Sequence, residues 1–144
     1  MLFFDTSALV KRYADEQGTQ TVDQLVETPE NTIVITSLSV IEIASAFRRK
    51  YNRGEINDQT RDGLLASFFE EATEQFTIIP VDESIFENAF GLVLDDDLRT
   101  LDALQLAAAL SLPTPNPDIT FVCADKTLID VAERHGLSTN NPCK

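Results

Sequence analysis

Cysteine, histidine and basic side chains are scarce in this chain of 144 residues. The two cysteines, Cys123 and Cys143, are too few for a disulfide framework and lack the spacing of a zinc finger. No apolar run approaches the roughly 18–20 residues of a membrane-spanning helix. The amino terminus also lacks the basic and then apolar pattern of a secretory signal. Together these absences predict a soluble, cytoplasmic protein with reduced thiols and no membrane partner.

The shortage of basic residues bears most directly on function. Eleven Lys and Arg stand against 24 Asp and Glu, which gives a formal net charge of −13. Proteins that bind nucleic acid normally rely on Lys and Arg for affinity, so the total charge argues against such a partner. The charge is uneven, however: residues 1–53 hold six basic and seven acidic side chains, and five basic and seventeen acidic ones follow. The basic side chains of the first part form two clusters, each of which also fits a solvated helix face.

Short apolar segments alternate with amphipathic ones along the chain. Apolar residues make up 43% of the sequence, which favours a folded core over disorder. The alternation predicts an α/β fold with a mostly parallel sheet, in a single domain over residues 1–144. Prolines 113, 115 and 117 predict a loop within that domain. Strands are predicted at 1–4, 32–36, 76–79 and 119–122, with a possible fifth at 137–139, and helices at 8–14, 18–27, 38–53, 57–74, 82–94, 101–112 and 125–135.

Four acidic residues occupy positions where such a sheet binds ligands. Asp5 and Asp125 each follow a predicted strand, and ligands of parallel sheets bind beyond the carboxyl ends of strands. Glu42 lies about one turn into a largely apolar helix, and Asp102 lies in the first turn of an Ala-rich helix. Carboxylates brought together repel one another unless cations bridge them, and hard oxygen ligands favour Mg²⁺ or Mn²⁺.

Each of these acids also has an ordinary structural explanation. Asp5 and Asp125 fit helix caps, and Asp102 fits the helix dipole as an acid of the first turn. Glu42 is harder to explain in this way, because a carboxylate among Ile, Ala and Phe is costly to desolvate without a partner. The four together therefore indicate a site more strongly than any one of them alone.

Four segments resemble the four motifs of the PIN domain, a metal-dependent nuclease fold. The match runs in the family's order over nearly the whole chain, and the first segment looks most like VapC-type toxins of toxin–antitoxin pairs. The resemblance implies an α/β fold with a central parallel sheet of four or five strands and helices on both faces. It also implies an endoribonuclease that hydrolyses RNA phosphodiester bonds. The matching segments are residues 2–11, 36–47, 98–110 and 121–128.

The resemblance also assigns roles to particular residues. Glu42 is expected to hold the attacking water and act as its base, and Thr6 or Ser7 is expected to support the first aspartate. Asp130 is a weaker candidate than Asp125 for the last acid. One or two Mg²⁺ or Mn²⁺ ions would be bound by the acidic quartet of Asp5, Glu42, Asp102 and Asp125. Candidates for contacts with RNA phosphates are Lys11, Arg12, Arg48, Arg99 and Lys126.

Partners follow from the same resemblance. An antitoxin would wrap a hydrophobic groove, which the helices at 57–74 and 82–94 could offer, and homodimers are common in this fold. Because bound cations would cancel the acidic charge, RNA binding is expected to depend on metal.

The sequence also predicts the surroundings of several other residues. Core spacing is found for four aromatic residues, Phe68, Phe69, Phe86 and Phe90. Cys123 is predicted to lie in the core, and His135 is predicted to end a surface helix.

Two other functions are compatible with the motifs. One is a catalytically silent PIN-like binding module. The other is a phosphotransfer protein with an aspartyl phosphate at Asp5. The second is disfavoured, because such proteins usually carry another Asp two residues on, and position 7 is Ser.

Overall fold

A central sheet of five parallel strands organises the protein. The computed structural model describes residues 1–113 and 119–144. The strands are β1 (Leu2–Phe4), β2 (Ile33–Thr36), β3 (Phe76–Ile79), β4 (Thr120–Val122) and β5 (Ser138–Asn140). They lie in the order β3–β2–β1–β4–β5, so the predicted parallel α/β sheet is confirmed and the possible fifth strand is present.

The chain changes direction across the sheet next to its central strand. It passes from β1 outward to β2 and β3, and then returns to place β4 and β5 on the other side of β1. Phe4, the last residue of β1, is in register with Val122, the last residue of β4. The carboxyl ends of these neighbouring strands therefore lie side by side, at the kind of switch point where open α/β sheets bind ligands.

Within residues 1–113 and 119–144, seven α-helices connect the strands. A short first helix continues into a 3₁₀ turn, Val10–Arg12, where the sequence predicts one helix over 8–14. The predicted acidic loop at 95–100 is shorter than expected, since helix runs to Asp96 and resumes at Thr100. Of the predicted proline loop, residues 115 and 117 lie outside the described residues. The helices are α1 (Thr6–Leu9), α2 (Thr19–Glu27), α3 (Ser37–Asn52), α4 (Asp58–Gln75), α5 (Glu83–Asp96), α6 (Thr100–Leu110) and α7 (Lys126–Arg134).

Helices cover both faces of the sheet, as expected. Successive residues of a strand point to opposite faces, so Phe3 and Phe4 enter different hydrophobic clusters. Phe3 packs in a cluster with residues of α5, α6 and α7, whereas Phe4 packs with residues of α1 to α4. Among the helices of the described ranges, none has both the length and the apolar character needed to cross a membrane.

The aromatic side chains do not all enter the core. Phe68 is fully buried, but Phe69, Phe86 and Phe90 are 49%, 56% and 68% exposed. The expectation of core packing for these three is therefore wrong. On α5 the reason is that both sides of the helix are apolar: Ile85 and Ala89 face the core, while the residues that follow each of them face outward. Helical spacing identifies an apolar stripe here but does not say which of two stripes is buried.

Candidate active site

A cleft of about 390 Å³ gathers the four acidic residues singled out by the sequence. Asp5 ends β1, Asp125 lies beyond β4, and Glu42 and Asp102 come from α3 and α6. Thr6 and Ser7 line the same cleft, as do exposed apolar side chains of α3 and α6, Ile41 and Leu101. The structure thus brings together all four acids and both predicted hydroxyls.

Asp5 is the most deeply buried of the acids, with 4% of its surface exposed. Its Oδ2 accepts hydrogen bonds from the Ser7 amide at 3.1 Å, the Ser7 hydroxyl at 2.6 Å and the Cys123 thiol at 3.6 Å. Burial, and then the charges of Asp102 and Glu42, raise the pKa of Asp5 to about 6, although the Ser7 hydrogen bonds oppose this rise. Within the described residues Oδ1 accepts no hydrogen bond, so one oxygen of this carboxylate is fixed and the other is available.

The buried thiol beside Asp5 acts as a hydrogen-bond donor. Cys123 has no exposed surface, in agreement with its predicted core position. Burial first, and then the charge of Asp5, raise the pKa of the thiol. It therefore keeps its proton at neutral pH and can donate to Oδ2 of Asp5.

Glu42 is anchored in the same one-sided way. Its Oε1 accepts hydrogen bonds from the Thr6 hydroxyl at 2.9 Å and from the side-chain amide of Gln105 at 2.8 Å. No hydrogen bond to Oε2 comes from any residue that the structure describes. The carboxylate that the sequence makes hardest to explain therefore has partners, and they hold one oxygen only.

Two polar side chains of the hydrogen-bond network around Glu42 were not predicted from the sequence. Gln105 and Ser39 are both buried, and the Gln105 amide nitrogen lies 2.9 Å from the Ser39 hydroxyl. A sequence signal did exist for Gln105, because it is the one strongly polar residue among the buried positions 103–109 of α6. Ser39 gave none, since a serine near a helix start reads as a cap.

Asp102 and Asp125 complete the acidic wall. Burial, and then the charges of Asp125 and Glu42, raise the pKa of Asp102, while Arg99 opposes the rise. Asp125 is exposed and caps α7, accepting from the amides of Thr127 at 2.9 Å and Leu128 at 3.3 Å. Capping and a place in the cleft are thus compatible for this residue. The weaker candidate, Asp130, is not among the residues that line the cleft.

The predicted RNA-contacting cations are only partly where the sequence suggests. Lys11 is buried and pairs with Glu16 at 3.2 Å, so its ammonium group is already engaged. Arg12 pairs with three carboxylates, those of Asp23, Glu27 and Glu71. Neither lines the cleft, and both are engaged in ion pairs, so a contact of either with phosphates stays a prediction.

The other three predicted cations are exposed and lie outside the cleft lining. A different arginine, Arg49, lines the cleft. Arg48, Arg99 and Lys126 are exposed and lie outside the cleft lining, and Arg48 stacks on Tyr51 at 5.2 Å. Arg49 does line the cleft, and its Nη1 donates to the Ser45 hydroxyl at 2.7 Å. Sequence reasoning missed it because adjacent helix positions face different directions, and two neighbouring arginines look alike in a charge cluster.

The donor set fits a hard divalent cation. Carboxylate oxygens are the ligands that Mg²⁺ and Mn²⁺ prefer, and Asp5 and Glu42 each keep one oxygen unbonded within the described residues. Burial first, and then repulsion from neighbouring acids, raise the pKa values of Asp5 and Asp102, and a cation would relieve that repulsion. Within residues 1–113 and 119–144, no three acidic, His or Cys side chains form a ready-made ligand group. A bound ion would therefore require the carboxylates to close around it.

Solved structures resemble this chain over nearly its full length. The structure of FitAB bound to an IR36 DNA fragment aligns with a TM-score of 0.73 at 14% identity, covering 100% of this chain and 96% of the other. A toxin–antitoxin complex from Klebsiella pneumoniae gives 0.65 at 16%, with 99% and 98% covered. VapC20 of Mycobacterium tuberculosis, a sarcin–ricin loop cleaving toxin, gives 0.68 at 13%, with 91% and 95% covered. At these identities the likeness concerns the fold.

Sequence comparison identifies the family. No curated protein sequence matches the chain. The family model of the PIN domain, by contrast, matches residues 2–134, which include all four acids of the cleft. With that match over most of its length, the chain belongs to the PIN domain family.

Proposed function

We propose that this protein is a metal-dependent endoribonuclease, the toxin of a VapBC-like toxin–antitoxin pair. The observation that carries the proposal is the convergence of four carboxylates on one cleft of a PIN-family chain, two of them with one oxygen anchored and the other without a hydrogen bond from the described residues. The fold neighbours include toxin–antitoxin complexes and a toxin described as cleaving the sarcin–ricin loop.

One or two Mg²⁺ or Mn²⁺ ions are the proposed cofactor. Asp5, Asp102 and Asp125 would hold them, with Glu42 as a further ligand. When bound, such an ion makes water a stronger nucleophile and stabilises the charge that develops on a phosphoryl group.

The chain's own residues supply positioning and proton transfer. In hydrolysis, a water oxygen bonds to phosphorus while the bond from phosphorus to one ribose oxygen breaks. Glu42 would accept the proton that this water loses; this role is supported by the hold of Thr6 and Gln105 on Oε1, while Oε2 is unbonded within the described residues. Ser7 fixes Asp5 beside it. The leaving ribose oxygen takes its proton from solvent.

RNA cleavage with a matched pair of variants tests this function. Wild type is expected to cut members of a mixed RNA panel with Mg²⁺ or Mn²⁺ and none in chelator. Glu42→Gln keeps an oxygen for Thr6 and Gln105 but loses the base, so its rate should fall by about 100-fold or more. Glu87→Gln, an exposed change on α5, should cut like wild type. No cleavage by wild type, or equal cleavage by Glu42→Gln, would reject the proposal; metal-dependent RNA binding without cleavage would favour a silent binding module.

Arg49 is the proposed phosphate contact on the cleft wall. Arg49→Ala is expected to weaken RNA binding by about 5–10-fold and to lower the salt dependence by about 0.7, the value for one phosphate contact on a single strand. Arg53→Ala, at the end of the same helix and outside the cleft lining, is the control and should change binding less than twofold. Binding titrations at several salt concentrations measure both quantities. If the control loses as much as Arg49→Ala, the contact lies elsewhere.

We further propose a cytoplasmic setting, an antitoxin partner and a homodimer. Exposed apolar side chains on α4 and α5, Phe69, Phe86 and Phe90, support protein contacts on that part of the surface. Antitoxin complexes are among the fold neighbours. Mass measurements in solution, alone and with the product of an adjoining small reading frame, examine both partners.

A further inference from the structure

Gln105 is a buried polar residue whose position the proposed chemistry does not by itself require. It lies on α6 one turn after Asp102, and only 1% of it is exposed. Its neighbours along the helix, Leu104 and Leu106, belong to the hydrophobic core. A primary amide in such surroundings is costly unless its hydrogen bonds are made, so its partners explain why it is there.

The hydrogen bond between Gln105 and Glu42 can run in only one direction. An ionised Glu42 can only accept, so the Gln105 nitrogen, 2.8 Å from Oε1, must be the donor. The amide oxygen then accepts from the Thr36 hydroxyl at 3.2 Å. The second amide hydrogen can serve the Ser39 hydroxyl at 2.9 Å or the Thr6 hydroxyl at 3.1 Å, and the Ser39 hydroxyl can donate in turn to that of Thr6 at 3.1 Å.

This direction makes Glu42 the end of every donor chain. Thr6 donates to Oε1 of Glu42 at 2.9 Å, so the network delivers two hydrogen bonds to the same oxygen. No other carboxylate of the cleft receives a hydrogen bond from Gln105 within the described residues. The network is therefore directed at one atom of one acid.

We propose that Gln105 is a positioning residue that locks Oε1 of Glu42 and so makes Oε2 the single oxygen that this acid offers to cation and water. The inference rests on the proposed function of the cleft. A neutral donor suits the role, because it holds the carboxylate and leaves its negative charge in place. A Lys or Arg at this position would cancel that charge. An apolar side chain of equal size would fill the space but leave Thr6 as the one donor to Oε1 among the described residues, so that Glu42 would be held less firmly.

Two variants of α6 separate positioning from simple packing. Gln105→Met keeps the volume and removes the amide, whereas Leu106→Met changes the adjacent buried residue, which belongs to the hydrophobic core. With an RNA that wild type cuts, Gln105→Met is expected to lower kcat at least tenfold and change KM less than twofold. Calorimetric titration with Mg²⁺ alone should show a dissociation constant at least threefold higher. Leu106→Met should match wild type in all three.

A further measurement uses the wild-type protein and needs no substitution. In wild-type protein labelled with ¹⁵N, the side-chain amide signals of Gln105 are expected to shift on addition of Mg²⁺, because the amide touches a proposed ligand. This signal keeps the inference testable if Gln105→Met does not fold.

Each result decides something. A Gln105→Met variant that equals Leu106→Met, a loss confined to KM, or an amide signal unmoved by Mg²⁺ would each overturn the positioning role. Wild type that binds Mg²⁺ but cuts no RNA would reject the nuclease proposal, and Gln105 would then be judged by the Mg²⁺ titration and the amide signal. Wild type that binds no Mg²⁺ would reject both.

Discussion

Asp5→Asn is expected to stabilise the metal-free protein while removing most of the stabilisation that Mg²⁺ gives. Asp5 is 4% exposed, and burial together with the charges of Asp102 and Glu42 raises its pKa from 3.8 to about 6. Asparagine keeps an oxygen that can accept from Ser7 and can still cap α1. Asparagine carries no charge, so the cost of burying a charge beside Asp102 and Glu42 disappears, while the hydrogen bonds from Ser7 remain.

The pH dependence of this effect has a definite sign. A carboxyl whose pKa is raised on folding destabilises the native state when it ionises. The cost is absent below its unfolded pKa near 3.8 and complete above about 6. A difference of this size corresponds to about 3 kcal/mol at pH 7. The gain in stability of Asp5→Asn over wild type should therefore grow as pH rises from 4 to 6 and then level off.

Thermal or denaturant unfolding measures the stability of the metal-free variant and, on addition of Mg²⁺, the stabilisation that the ion gives. Mg²⁺ should raise the stability of wild type, since a ligand that binds only the native state stabilises it, and should do so much less for Asp5→Asn. Asp130→Asn, an exposed acid of α7 outside the cleft lining, is the control and should follow wild type. An asparagine variant less stable than wild type in chelator, or equally stabilised by Mg²⁺, contradicts the account of Asp5.

The acids of the cleft were predictable because local rules place them. Asp5 and Asp125 follow strands, and parallel strands direct their carboxyl ends to one edge of the sheet. Glu42 was marked by its apolar surroundings on α3, because a buried carboxylate needs partners. The structure brings these residues to a common cleft, and their roles as metal ligands are proposals that the variants above examine.

The unpredicted features are those that depend on contacts between distant segments. Arg12 and Glu71 are 59 residues apart, and nothing near Arg12 in the chain shows that it would be enclosed by acids of α2 and α4. The hydrogen-bond partners of Gln105 come from α1, β2 and α3, at separations of 63 to 99 residues. The exposure of Phe86 and Phe90 likewise depends on which side of α5 meets the sheet. A charge or an apolar residue is visible in a sequence, but the group that it contacts is not.

Arg12→Met is expected to cost about 3 kcal/mol of stability, because it breaks a partly buried ionic network. Arg12 is 17% exposed and binds Glu71, which is 15% exposed, through two nitrogens at 2.9 and 3.0 Å. Tyr13 also donates to Glu71 at 2.8 Å. Without the guanidinium group, a carboxylate on α4 would stay mostly enclosed with only the tyrosine as partner. The bond to Glu27, which is 64% exposed, contributes little.

Urea unfolding at several pH values, with Glu71 present and with Glu71→Met, tests this role. Burial alone would raise the pKa of Glu71, but the hydrogen bonds from Arg12 and Tyr13 outweigh it and lower that pKa below 4.5. The stability that the pair supplies is therefore present above pH 4.5 and lost as pH falls through the lower folded value, so the two proteins should converge in acid. Adding Glu71→Met should recover part of the loss, because no charge is then left enclosed. Arg48→Met, an exposed change, should stay within about 0.5 kcal/mol of wild type. An Arg12→Met variant as stable as wild type but weak in RNA binding would contradict this structural role and support the predicted contact of Arg12 with RNA.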